Sequence, residues 1–280
     1  MNKLVLKSSA LLATVLIAGP VLISTAGAAT TTGGDYTSSA NLTLQAGTGP
    51  VDPLDPTDPT NPVTPVDPGT PGAPGNLTVD YGSTLYFGTQ SISTQAQTYY
   101  AHPDMVVDKD DATKIVPNYA QVTDQSGDLA GWTLTLTQAS DLHLSSGSSS
   151  DAGYALTGAQ INFTGGTIVG GNGITSGTPS DVVTSGSLTP GVATKLVSAA
   201  ENEGAGTWLY NFGDVDAYDA ASVDTANTSD QSKVATKSAI SLTVPSGLVE
   251  KAAAYTTDLY WSLQAVPGND WSGNTSAVSQ

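Results

Sequence analysis

AGWTLTLTQ, residues 130–138, and DLYWSLQAVPGND, residues 258–270, share one arrangement, and their reading decides the fold. Each sets a tryptophan two residues before a leucine, Trp132 with Leu134 and Trp261 with Leu263. Successive side chains on a strand point to opposite faces, so each Trp–Leu pair shares a face and the residue between them takes the other. Two roles are open for such a face. It is buried core filled by large rings, or it is a surface that stacks on sugar rings or receives a partner strand.

The same alternation of apolar residues with Thr or Ser recurs in NLTVDY (76–81), TLYFG (84–88), YALTGAQINFT (154–164), TIVG (167–170), GTWLYNFG (206–213) and SAISLTVP (238–245). Gly, Asn, Asp and Pro separate these runs, as turn residues do. Helical periodicity is scarce, and only ATKLVSAAENE (193–203) predicts two or three turns of helix. SSGSSS (145–150) and GGNGITSGTPS (170–180) predict loops or hairpin tips. The expected fold is all-β, a β-sandwich or distorted β-barrel with long loops and at most one or two short helices.

Upstream of these runs the composition changes twice. Residues 1–28 place Lys3 and Lys7 before an apolar run and end in Ala26-Gly27-Ala28, the layout of a secretory signal peptide. Residues 29–49 form a short N-terminal segment in which NLTLQA (41–46) predicts one isolated strand. Residues 50–75 carry proline at every third position from 50 to 74, with Asp52, Asp55, Asp58 and Asp67 between them. Three residues per turn is the period of polyproline II, so this Pro/Asp-rich linker is expected to be extended. It serves as a stiff spacer or as a strap running from the first strand to the main domain, residues 76–280.

The chain has 8 Lys and Arg together, all of them lysine, against 25 Asp and Glu, a formal net charge of −17. An acidic, arginine-free chain is poorly suited to phosphate backbones or anionic lipid, so neither nucleic acid nor direct membrane insertion is expected. Cysteine is absent, which excludes disulfides, thiol catalysis and cysteine metal sites.

Groups with catalytic potential are sparse. The two histidines, His102 and His143, each lie two residues from an aspartate, Asp104 and Asp141, but no nucleophile-elbow sequence accompanies them. DKDDAT (108–113) and GDVDAYD (213–219) gather Asp108, Asp110, Asp111 and Asp214, Asp216, Asp219, oxygen donors suited to a hard cation such as calcium, though without EF-hand spacing. No cofactor is expected, and neither is enzymatic activity.

Taken together, GWTLTL (131–136) and DLYWSLQAVPGN (258–269) resemble the two motifs of the WxL family of Gram-positive surface proteins. LTVDYGSTLYFGTQSIS, QTYYA, GTWLYNFG and AISLTVP are similar to further family blocks in the same order, and the likeness covers residues 36–269. The resemblance implies a small WxL protein, secreted to the cell surface and held non-covalently on the cell wall, with peptidoglycan or an associated wall polymer as ligand. It implies as partners a membrane-anchored WxL-interacting protein and larger WxL proteins. It makes Trp132, Leu134, Trp261 and Leu263 the wall- or partner-binding candidates. No Leu-Pro-x-Thr-Gly sorting signal is present, in keeping with non-covalent attachment. Trp271 lies outside the family pattern. An alternative role is an adhesin that binds host or environmental glycans or matrix proteins through the 145–180 loops.

Overall fold

The computed structural model describes residues 36–69, 72 and 74–265. Residues 1–28, where a signal peptide is expected, and Val266, Pro267 and Trp271 lie outside these residues. The chain forms two compact units, residues 1–43 and 44–280. In the first, residues 36–43 are exposed and carry no regular secondary structure. The predicted strand at 41–46 is therefore not formed, and no strand among the described residues pairs with it.

The second unit is all-β, as expected. Its helical content among the described residues is confined to the 3-10 turns Gly171–Gly173, Val215–Ala217 and Ala220–Ser222. Strand pairs are antiparallel throughout. Three four-stranded sheets make the body. The first runs Gly166–Gly170, Gly206–Phe212, Tyr119–Asp124, Leu77–Gly82. The second runs Asp181–Val182, Ala193–Ala199, Trp132–Gln138, Leu259–Gln264, and holds both Trp–Leu pairs. The third runs Ser185–Ser187, Gln160–Thr164, Ile240–Val244, Gln97–Tyr100.

The first sheet is buried on both faces. Ala120, Val122, Trp208, Tyr210 and Phe212 join the main core with Trp132, Leu134, Ile161 and Leu242. Tyr81, Tyr119 and Leu209 point the other way, into a second cluster with Leu54, Val63, Val106 and Val116. Leu54 and Val63 belong to the proline-rich stretch. That stretch is therefore not a free polyproline spacer. It folds into the short strands Leu54–Asp55, Asp58–Pro62 and Thr64–Pro65, and the last of these pairs with Asp104–Val107. Pairing is possible because the residues between the prolines keep their amide hydrogens. Val63 N–H donates to the Pro53 carbonyl (2.8 Å) and Val66 N–H to that of Met105 (2.9 Å).

Buried polar side chains of the first sheet hold the strap. Gln121, fully buried, accepts from Leu54 N–H at 2.7 Å and donates from Nε2 to the Asp52 carbonyl at 3.2 Å and to Asp80 at 3.0 Å. Asp80 also accepts from Val51 N–H (3.1 Å) and Thr123 Oγ1 (2.6 Å), and Asn211 Nδ2 donates to the Pro56 carbonyl (3.2 Å). Strap and sheet thus satisfy each other's polar groups, which burial otherwise makes costly. The buried carboxylate of Asp55 pairs with Lys114 and accepts from Thr57 N–H and Oγ1. Burial alone pushes this carboxyl up, but the bonds from Lys114 and Thr57 outweigh it and hold it below the usual range.

Two further expectations need correction. ATKLVSAAENE is not helical, since Ala193–Ala199 is an inner strand against Trp132–Gln138, with a register shift between Lys195 and Val197. That shift turns consecutive Leu196 and Val197 both into buried positions, which hides the period of two. TLYFG (84–88) forms no strand either, although Leu85 and Phe87 still pack against the core.

If the strap is part of the folded unit, Leu54→Ala should lower global stability by about 2–5 kcal/mol, the cost of emptying a core leucine site. Chemical denaturation checks this, and an unchanged midpoint would restore the spacer reading. Lys114→Met should cost about 1–2 kcal/mol at neutral pH, discounted because the lysine is one-third exposed. Asp55 has a depressed folded-state pKa, so its stabilisation is present above the ordinary carboxylate range and lost as pH falls through the folded value. The variant should therefore begin acid unfolding at a higher pH than the wild type.

Candidate functional site

The two Trp–Leu pairs lie side by side in the second sheet, where Leu263 stands opposite Leu134 and Trp261 opposite Leu136. Their surroundings differ. Trp132 and Leu134 are on an inner strand and have no exposed surface. The Trp132 indole Nε1 donates to the Gly204 carbonyl at 3.0 Å. Gly204 has φ +77°, and a Cβ there would overlap the indole. A residue without a side chain is thus required for the ring to lie flat against the turn. Trp132 and Leu134 offer no area to a wall polymer or partner, and their role in the fold is core packing.

Trp261 and Leu263 stand on the strand that ends the second sheet, and they are only partly buried. The Trp261 ring packs edge-on to Phe212, with centroids 6.3 Å apart at 60°. Its nitrogen edge lies over Gly82, where a Cβ would again collide with the indole. Each motif tryptophan therefore rests on a glycine of another segment. Neither glycine stood out in the sequence, because nothing local links position 82 to 261 or 204 to 132.

Trp261 and Leu263 line an open groove of ≈ 1970 Å³. Its floor includes Ile161, Leu242 and Val244 of the third sheet, and its far wall is the strand Leu77–Gly82 with the following Leu85 and Phe87. All three sheets contribute to it. Charged groups along it are Asp230, Glu250 and Asp258 against Lys251.

The remaining candidates do not assemble. His102 is buried, and its Nε2 contacts the Lys233 carbonyl at 2.8 Å, not Asp104. Asp104 instead accepts from Tyr81 and Ser83 hydroxyls, both at 2.6 Å, and burial pushes its carboxyl up. His143 Nδ1 meets Ser140 Oγ at 3.2 Å and the Asp141 backbone carbonyl at 3.1 Å. A nitrogen that donates to that carbonyl has no lone pair with which to take the serine proton, and the Asp141 carboxylate does not orient the ring. The aspartate clusters are turns. Asp108 accepts from the amides of Asp110 (2.9 Å) and Ala112 (3.0 Å), which hold it below the usual carboxylate range, and Asp110 pairs with Lys109. Asp219 accepts from Thr236 and Ala221, while Asp214 and Asp216 do not converge on it. Among the described residues, no three His, Asp or Glu side chains are placed to hold a metal ion. The 145–180 loops are separated by the strands Gln160–Thr164 and Gly166–Gly170, which fall where strands were expected.

Comparison with known proteins gives one family. The family model described as WxL domain surface cell wall-binding matches residues 31–267. Neither the curated proteins nor the solved structures contain a match. No helix among the described residues is long and apolar enough to cross a membrane.

The two tryptophans should respond differently to truncation. Trp132→Ala should cost about 3–5 kcal/mol, the range for emptying a core aromatic site. Trp261→Ala should cost about 1–2 kcal/mol, because its ring is only partly removed from water. Gly82→Ala should lift the Trp261 ring and cost about 1–3 kcal/mol through overpacking, with a red shift in tryptophan emission. Equal losses for the two tryptophan variants in thermal melts would contradict this division between core and groove.

Proposed function

Because the chain belongs to the WxL domain surface cell wall-binding family, we propose that it is secreted and held non-covalently on peptidoglycan as one component of a surface protein complex. The observation that carries this reading is the family match over residues 31–267, which takes in the strap and both Trp–Leu pairs. The geometry supports a division of roles within the motifs. Trp132 and Leu134 build the core, and Trp261 and Leu263 wall a groove that serves as the partner-contact surface of the complex.

Charge constrains how the protein holds to the wall. A net charge of −17 repels anionic wall polymers over a Debye length, about 10 Å at 0.1 M salt, so attachment rests on short-range contacts. The family is one of wall binding and not of catalysis, and the proposed role involves no turnover.

Pull-down on purified peptidoglycan, with assay of released muropeptides, tests this. The expected result is retention without release, and retention should persist or rise at about 0.3 M salt, where the like-charge repulsion is screened. Release of muropeptides, or elution at that salt, would overturn the reading.

A further inference from the structure

Residues 36–46, YTSSANLTLQA, form an amphipathic strand sequence that has no strand partner among the described residues. Tyr36, Ser38, Ala40, Leu42, Leu44 and Ala46 share one parity, and Thr37, Ser39, Asn41, Thr43 and Gln45 the other. A strand built from them has one face with both leucines and the tyrosine and one face that is wholly polar. All eleven residues are exposed; Tyr36 is 92%, Leu42 83% and Leu44 82% accessible. Such a segment lacks a sheet to cover its apolar face and to pair its backbone.

The same chain carries an incomplete sheet. Leu259–Gln264 and Leu77–Gly82 each end their sheet, so each has one edge against which no strand is paired among the described residues. Both strands line the groove, which presents Leu259, Trp261 and Leu263 half-buried beside the buried Leu242 and Val244.

We infer that these two features are complementary halves of one self-assembly contact: residues 36–46 of one copy enter the groove of a second copy and extend the sheet at Leu259–Gln264. This deepens, and rests on, the reading of the groove as a partner-contact surface by naming the partner as a second copy. Backbone pairing at a free edge supplies affinity, and alternate side chains entering the groove supply specificity. Leu42 and Leu44 then face Trp261 and Leu263, while the polar parity faces water. Charge selects the same occupant. The groove rim is acidic on balance and each copy is strongly anionic, whereas residues 36–46 contain no charged side chain. The inserted strand adds no repulsion of its own. Donor segment and acceptor groove are different surfaces, so the contact is head-to-tail and leaves a free segment at one end and a free groove at the other. It therefore propagates into linear chains of molecules or closes into rings.

Sedimentation velocity of the purified wild-type protein, compared with Leu42→Asp/Leu44→Asp, tests the inference. Both substituted positions are exposed, so the variant should keep the wild-type melting temperature. The wild type should gain mass over about a 100-fold rise in concentration and gain more as salt screens the net repulsion, while the variant should remain monomeric. A synthetic peptide of residues 36–46 should bind the variant with a change in tryptophan emission and should shorten the wild-type assemblies. A monomeric wild type under all these conditions, self-association that survives the double substitution, or a peptide that leaves both proteins unchanged would overturn the inference. So would a melting temperature lowered in the monomeric variant, because the segment would then pack on its own chain. Peptidoglycan pull-down of the same variant separates the two readings. Retention of a variant that no longer assembles leaves wall attachment standing whatever the fate of strand exchange.

Discussion

A sheet whose polar face is sealed from water must have its hydrogen bonds supplied by something other than water, and here a proline-rich strap supplies them. Gln121 is the central instance. Its amide is fully buried, yet it serves the Leu54 N–H, the strap carbonyls of Val51 and Asp52 and the Asp80 carboxylate. Asp80 in turn gathers Thr123, Thr78 and the Val51 amide. Remove the strap and these groups are orphaned on a sheet that also loses the cluster of Leu54, Val63, Tyr119 and Leu209. The other sheets depend on this one in order, because Trp208, Tyr210 and Phe212 on its opposite face fill the core into which the Trp132 strand packs.

Proline suits this duty for a specific reason. A strap that crosses a sheet face has little use for every amide hydrogen, and proline removes some while fixing φ. The residues between the prolines keep theirs, and they are the ones that reach Gln121, Asp80 and Pro53. The three-residue period thus describes which backbone groups are available for bonding and does not require a free polyproline helix.

Much of the architecture was legible because half-buried strands write their alternation into the sequence. Leu77–Gly82, Trp132–Gln138, Gly206–Phe212, Ile240–Val244 and Leu259–Gln264 fall where the alternation placed them. Ala193–Ala199 escaped because its register shift buries adjacent residues. The hairpin of Asp104–Val107 and Thr113–Val116 escaped because its aspartate-rich turn drew attention as a cation site, although two β-branched runs flanking a turn are themselves a hairpin signal. At the site, the sequence marked the four motif residues without separating them. Burial separates them, and it follows from strand order, inner for Trp132 and edge for Trp261, which no local pattern records. The seats at Gly82 and Gly204 and the clasp at Gln121 were invisible for the same reason, being contacts between residues distant in the chain.

The strap also dictates an order of events as the chain is made. Residues 51–66 leave the ribosome early, but the groups that receive them lie far downstream: Met105 and Val106, then Gln121, then Asn211, more than 150 residues after Pro56. Until those arrive the strap can bury nothing, and long-range pairings of this kind close slowly. Its alternation of proline with aspartate and threonine lets it wait in water without collapsing or aggregating. The segment that locks the sheet is therefore written in the composition of a solvated chain, and the same residues serve it before and after its partners arrive.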